Sequence, residues 1–417
     1  MHIRRAREAL AAGRPATRRA FVGAAGAAAA VVAGGVLFGC APTAKGPAAG
    51  NGEGGGQGAS ASGSRDQRVE VLMGSMTEHE RLCQLLCVTP EALTGMGQVI
   101  RASDATRSAL VRRPVGGLAY FADNVGGPEQ VAQMLVATRD FALDACGIPP
   151  LLCVDEEGGQ VARVANRAGM GVENVGDMAD IGAGADPAEA RSAAEYVGGY
   201  LRGMGFNVDF APVCDVASNP ESDTMRRRSF GANPQLVARM VAAQVEGFAA
   251  ARVLCCPKHF PGIGAAVGDS HEGRIVFEGA EADLEATELV PFRAAIEAGA
   301  PMVMVGHLSV PAVTGDDAPA CLASAVVDGL LRRRLGFEGV VVTDSLSMGA
   351  VERYCSAGEA VVLALEAGCD VLLMPPDVDE ALEALKAALG EGRLGWDRID
   401  ESVRRILRAK LGHLGPF

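Results

Sequence analysis

The sequence predicts an α/β protein built on a single TIM-type (β/α)8 barrel, and three observations lead to it. First, short apolar runs rich in Val and Leu recur at 116–121, 150–154, 208–213, 253–256, 302–305, 340–342 and 371–374. They lack the polar alternation of a half-exposed strand, as befits parallel strands buried on both faces. Second, amphipathic helical patterns separate them, at 187–204, 234–251, 284–298, 324–335 and 357–367. Strand–helix alternation without hairpin turns implies a parallel sheet covered by helices. Third, ionisable residues stand at the carboxyl ends of at least six runs: Asp155, Asp215, Lys258 with His259, His307, Asp344 and Asp377. An open doubly wound sheet gathers its ligand residues at one switch point. A barrel turns every strand's carboxyl end toward one mouth, and the spread over six strands favours the barrel. Seven strands are clear in the sequence; the eighth is not obvious.

Two segments of different character precede the body at 67–417. Residues 17–22 read Thr-Arg-Arg-Ala-Phe-Val, an Ala- and Gly-rich apolar stretch follows, and it ends at Leu37-Phe38-Gly39-Cys40. A paired Arg before a mildly apolar stretch resembles a twin-arginine export signal, and the Leu-x-Gly-Cys ending resembles a bacterial lipobox. Residues 1–40 therefore read as an export segment with Cys40 as the lipidated residue, placing the body as a membrane-anchored lipoprotein on the extracytoplasmic face. The competing reading is an uncleaved membrane span, which the many Gly and Ala make a weak one. Residues 41–66, almost all small or polar, cannot bury a core and read as a disordered tether.

Hydrophobic residues make up 49% of the chain and aromatics only 4%, so the core must be aliphatic. Without residues 1–39, which hold six Arg and one Glu, the balance is 32 basic against 50 acidic residues. Such a body lacks the clustered Lys and Arg that phosphate contacts require, which excludes nucleic acid as a partner. Its charge suits a neutral or cationic substrate. Of eleven Cys, those at 153, 214, 255, 256 and 369 sit in strand-like runs and read as buried small hydrophobes. Cys83 and Cys87, four apart on a predicted helix, lack the second half of a metal site.

The chemistry concentrates at the strand ends. An Asp after a strand often caps the next helix, and Asp215 reads equally as such a cap. Capping does not call for Lys258, His259 and His307, however. Five His lie beyond the export segment, and three of them, at 259, 271 and 307, fall at or just past strand ends. The loop from Lys258-His259-Phe260-Pro261-Gly262-Ile263-Gly264 continues to Asp269-Ser270-His271. Two residues apart, Asp269 can orient and charge the His271 imidazole; a solvated Asx-turn fits the spacing equally well. Asp344 follows three Val and Thr343, which aims a partly desolvated carboxylate at the mouth, as a nucleophile requires.

At these motifs the sequence resembles glycoside hydrolase family 3, and within it the β-N-acetylhexosaminidase branch. The resemblance spans residues 75–411 and rests on Gly116-Gly117-Leu118, Asp155-Glu156-Glu157-Gly158-Gly159, NVDFAP at 207–212, Arg228-Ser229-Phe230-Gly231, KHFPGIG at 258–264, Asp269-Ser270-His271 and TDSLSM at 343–348. It implies that Asp344 is the nucleophile, His271 the acid/base and Asp269 its orienting carboxylate. It also implies that Asp155, Arg163, Arg228, Lys258 and His259 bind hydroxyls of the terminal sugar. Ile263 stands where this branch often has His, and Ala265-Ala266-Val267 replaces a more polar stretch, so aglycone contacts or loop behaviour should differ. The implied activity is a retaining exo-β-N-acetylglucosaminidase acting on peptidoglycan fragments or chitooligosaccharides; nucleophile and acid/base account for that chemistry without cofactor or metal, and a monomer is expected. A β-glycoside phosphorylase on the same site and a non-catalytic glycan-binding lipoprotein are the alternatives.

Overall fold

The computed structural model describes residues 56–220, 223–266 and 273–415. The export segment and Cys40 therefore lie outside the described residues, as do Asp269 and His271. The first helix, Gly56–Ser75, begins inside the stretch whose composition reads as tether. The compact body runs from Arg65 to Phe417, and among the described residues no helix is long and apolar enough to cross a membrane.

Eight short parallel strands form the centre: β1 Leu86–Val88, β2 Gly117–Tyr120, β3 Leu151–Val154, β4 Val208–Asp209, β5 Leu254–Cys255, β6 Met302–Val305, β7 Val340–Thr343 and β8 Leu372–Leu373. Six pair in the order β8-β1-β2-β3-β4-β5, and β6 pairs with β7. The sheet is curled. Isolated parallel bridges, Phe260 with Val305 and Val342 with Val371, stand at the two seams between these groups. Every residue of the eight strands is buried, as the continuous apolar runs imply. An antiparallel hairpin, Glu156–Gly158 with Val161–Ala162, follows β3 directly and departs from the hairpin-free expectation.

Strand β1 is the one the sequence does not announce. It follows the helix Glu78–Gln84 after a single residue, so Leu86, Cys87 and Val88 read as more of that helix's apolar face. The predicted helical pairing of Cys83 and Cys87 is accordingly wrong. Cys83 ends in the helix beside His79, while the Cys87 sulfur lies on β1, 3.9 Å from that of Cys153. Gly116 explains how β2 comes so close: a Cβ there would meet the Gln84 carbonyl carbon at 2.7 Å.

The helical patterns at 187–204, 234–251 and 357–367 appear with those bounds as Pro187–Met204, Pro234–Ala251 and Ala357–Ala367. The pattern at 284–298 divides into Glu281–Ala286 and Leu289–Glu297. Pro291 has no N–H to give an earlier turn, so it suits only the first turn of a new helix. The pattern at 324–335 winds as a π-helix, Ala325–Arg334. Asp377 caps the helix Val378–Gly390, accepting from the Glu380 N–H at 2.8 Å. At the amino end of β8, buried Asp370 accepts from Arg332 and Ser402 at 2.6 Å each and from Arg405 at 3.2 Å, pinning the last helix, Trp396–His413, to the sheet.

Candidate active site

At the carboxyl ends of the strands a cavity of about 420 Å³ opens, lined among others by Asp155, Arg163, Arg228, Lys258, His259 and Asp344. Six of the eight candidate residues within the body thus meet in one place, although they come from five separate stretches of chain. Asp269 and His271 cannot be placed, since they lie outside the described residues.

One side of the cavity is a clamp of alternating charges. Lys258, almost fully buried, donates from Nζ to Asp155 Oδ1 at 2.7 Å and reaches Glu157 Oε1 at 2.6 Å. Arg228 donates to both Glu157 oxygens at 2.7 Å each, the bidentate geometry that suits a guanidinium. Burial alone would push the Glu157 carboxyl up, but Arg228 and Lys258 together outweigh it and hold it well below the usual carboxylate range. Burial would likewise lower Lys258 and Arg228, and the facing carboxylates raise both instead. Glu157, Lys258 and Arg228 therefore keep one another charged. Arg163 sits more openly, 3.9 Å from Asp155 and 5.7 Å from the centre of the Phe121 ring.

Glu157 was not singled out in the sequence, yet a signal was there. Side chains of an extended segment alternate, so Asp155 and Glu157 share a face and Glu156 takes the other. The structure shows this division. Glu156 turns away and accepts from the Val164 and Ala165 N–H groups and the Tyr200 hydroxyl, all at 2.7 Å, which secures the hairpin.

Asp215 is not the helix cap that its position allows. It is fully buried and accepts from His259 Nδ1 at 2.7 Å, from the Ile263 N–H at 2.8 Å and from the His259 N–H at 3.4 Å. It thereby fixes the ring that leans toward Arg228, with Nε2 at 3.4 Å from the guanidinium. Nothing in its sequence neighbourhood distinguishes this use from a cap, because the partner lies 44 residues away.

Asp344 leaves β7 at the opposite wall, with Oδ1 accepting from the Ser345 N–H at 2.7 Å. Burial would raise its carboxyl, but the imidazoles of His307 and His259, the Ser345 N–H and Lys258 outweigh it and hold it below the ordinary value. His307 is not among the residues of the cavity wall. It is buried behind Asp344, with Nε2 2.8 Å from the Ser345 carbonyl and Nδ1 3.2 Å from the Cys321 sulfur. An ionised, partly shielded carboxylate facing a charged clamp can attack an electron-poor carbon. Among the described residues no group of His, Cys, Asp and Glu is arranged to hold a metal ion.

Residues 77–409 match the model of the glycosyl hydrolase family 3 N-terminal domain. The chain is 35% identical over 316 residues to a beta-hexosaminidase of Stenotrophomonas maltophilia, an alignment covering 72% of this chain and 91% of that one. It is 32% identical over 326 residues to beta-hexosaminidase A of Pseudoalteromonas piscicida, covering 72% of this chain but only 54% of that longer protein. Its fold is similar to a family 3 beta-N-acetylglucosaminidase from Paenibacillus sp. str. FPU-7, with a TM-score of 0.76 and 38% identity over 82% of this chain and 63% of that one. The chain belongs to glycoside hydrolase family 3, whose N-terminal domain it matches across nearly all of its folded body.

Proposed function

We propose that this chain is a retaining exo-β-N-acetylhexosaminidase working at the mouth of a closed eight-stranded barrel. The observation that carries the reading is Asp344, held ionised across the cavity from the Asp155–Glu157–Lys258–Arg228–His259 clamp. Its similarity to proteins named beta-hexosaminidase supports the choice of sugar.

In this reading Asp344 attacks the anomeric carbon of a terminal N-acetylhexosamine. The bond to the glycosidic oxygen breaks as His271, oriented by Asp269, delivers a proton to that oxygen. A glycosyl ester on Asp344 results. Water, giving its proton back to His271, then cleaves the ester with the β configuration restored. The clamp fixes hydroxyl positions, and such contacts strengthen as charge builds on the ring. Peptidoglycan fragments or chitooligosaccharides are the substrates this chemistry serves. Export through residues 1–40 and lipidation at Cys40 would hold the enzyme beside a wall polymer; metabolic labelling with a fatty acid, absent in Cys40→Ala, tests that placement.

The decisive experiment is hydrolysis of a chromogenic β-GlcNAc glycoside by the wild type and by Asp344→Asn. Loss of kcat by a factor on the order of 10⁴ is expected, and an undiminished rate overturns the assignment. Run with added phosphate, the same assay separates hydrolase from phosphorylase. Free sugar supports the reading, and sugar 1-phosphate as the product refutes it.

A further inference from the structure

Behind the Asp215–His259 pair lies a carboxyl that the proposed mechanism does not use. Glu288 immediately precedes the helix Leu289–Glu297, is fully buried, and has no well-formed hydrogen bond to either carboxyl oxygen, only a weaker approach by the Val216 N–H. Leaving such a group so poorly partnered is costly, so its retention at this spot needs an account.

Its neighbours supply one. A Cβ placed on Gly262 would meet the Glu288 Cβ at 2.7 Å, with the carboxyl closer still. The Glu288 side chain is therefore packed directly against the turn that carries His259 on one side and Ile263 on the other. The next glycine is equally confined: a Cβ on Gly264 would meet the Val216 carbonyl carbon at 2.5 Å. The turn is thus seated between Glu288 and the 215–216 backbone, and Asp215 ties it down through His259 Nδ1 and the Ile263 N–H. Gly262, at φ +119°, has room for no side chain in this seat.

We propose that Glu288 is a positioning residue of the glycosidase: its side chain is the strut against which the 259–264 turn and the Asp215–His259 pair are held. The inference rests on the hydrolase reading above for its effect on catalysis, and on the packing alone for its effect on stability.

The charges around Glu288 make the strut sensitive to pH. Burial pushes its carboxyl up, the Asp215 charge pushes it further, and the Val216 N–H opposes them only in part, leaving it at about 8. Asp215 and His259 face it from the turn. Arg274, Glu278 and Asp283 share the wall of a second cavity on which it borders. Ionisation puts a second negative charge beside Asp215, and the turn that carries His259 loses its seat. The sign follows from linkage. A carboxyl raised in the folded state contributes its stability fully below the unfolded value, and loses it as pH climbs through the folded value.

The test compares wild type, Glu288→Gln and Glu288→Met from pH 6 to pH 9, by kcat and KM on a chromogenic β-GlcNAc glycoside and by Tm without substrate. The ratio of E288Q to wild-type kcat/KM should rise roughly fivefold or more across the interval, carried by kcat. The wild-type Tm should fall relative to both variants over the same range. A constant ratio with parallel Tm curves overturns the proposal. If the wild type hydrolyses no glycoside, the activity reading fails, while the Tm comparison still decides whether Glu288 is the strut. Should E288Q fold poorly, E288M, apolar and of similar length, decides by the same Tm slope.

Discussion

Arg228 holds Glu157 through two hydrogen bonds of 2.7 Å, although 71 residues separate them in the chain. Glu157 also carries the second contact of Lys258, at 2.6 Å, so one buried carboxylate binds two cations at once, the second of which it shares with Asp155. Glu157→Ala should therefore destabilise the protein by about 3–5 kcal/mol, since it strands charges rather than merely deleting a contact. Denaturant unfolding measures this. The acid limb of stability should change as well. A carboxylate depressed in the folded state contributes stability above its unfolded value and loses it as pH falls. Glu157→Gln should flatten the decline in Tm below about pH 4.5, where the unfolded carboxylate begins to take up protons.

Asp215→Ala removes the acceptor of His259 Nδ1 and of the Ile263 N–H together. A hydrogen bond to a charged group is worth about 1.5–3 kcal/mol, which corresponds to a loss in kcat/KM of roughly 10- to 100-fold if the ring swings out of place. The loss should appear with a folded circular-dichroism spectrum. A variant with wild-type kinetics would show that the Asp215 contacts do not serve catalysis.

Lys410 is a fully buried lysine, bonded through Nζ to Gln84 Oε1 at 2.8 Å. Burial lowers it to about 8. Between that value and its unfolded one the unfolded chain binds more protons, so this group makes stability rise with pH from about 8 upward. Lys410→Met should abolish that rise. Tm of the two proteins, followed from pH 7 to pH 10, should converge toward or cross in favour of the wild type at the alkaline end.

Ten cysteines in the described body are unpaired, and eight of them are buried; Cys146 and Cys355 are the partly exposed ones. Burial raises both of these thiols, which slows their attack on reagents. Thiol titration of the native protein should therefore label those two slowly and the remainder only on denaturation. Finding the body's thiols consumed by disulfides would refute this state.

Much of the architecture was legible because it rests on local signals. Seven strands stand out as aliphatic runs, and three helices match their amphipathic periods to the residue. Strand β1 stayed hidden because three apolar residues placed one step after a helix carry no period of their own. The hairpin at 156–162 stayed hidden behind its glycines. The clamp was legible only in part. Lys258, His259, Arg228 and Asp155 announce themselves through motif and strand-end placement. Glu157 and Asp215 acquire their roles from partners dozens of residues away, and a carboxylate's partner cannot be read from its neighbours. Asp377 shows the converse. It stands at a strand end like the others and serves only its helix.

Lys258 and Arg228 arrive already matched by Asp155 and Glu157 at hydrogen-bonding distance. A sugar entering the cavity displaces water but no counter-ion, and its hydroxyls join an ionic lattice that is complete before it comes. Close, shielded pairs of this kind are little affected by dissolved salt. Recognition at this mouth should thus hold steady as ionic strength varies.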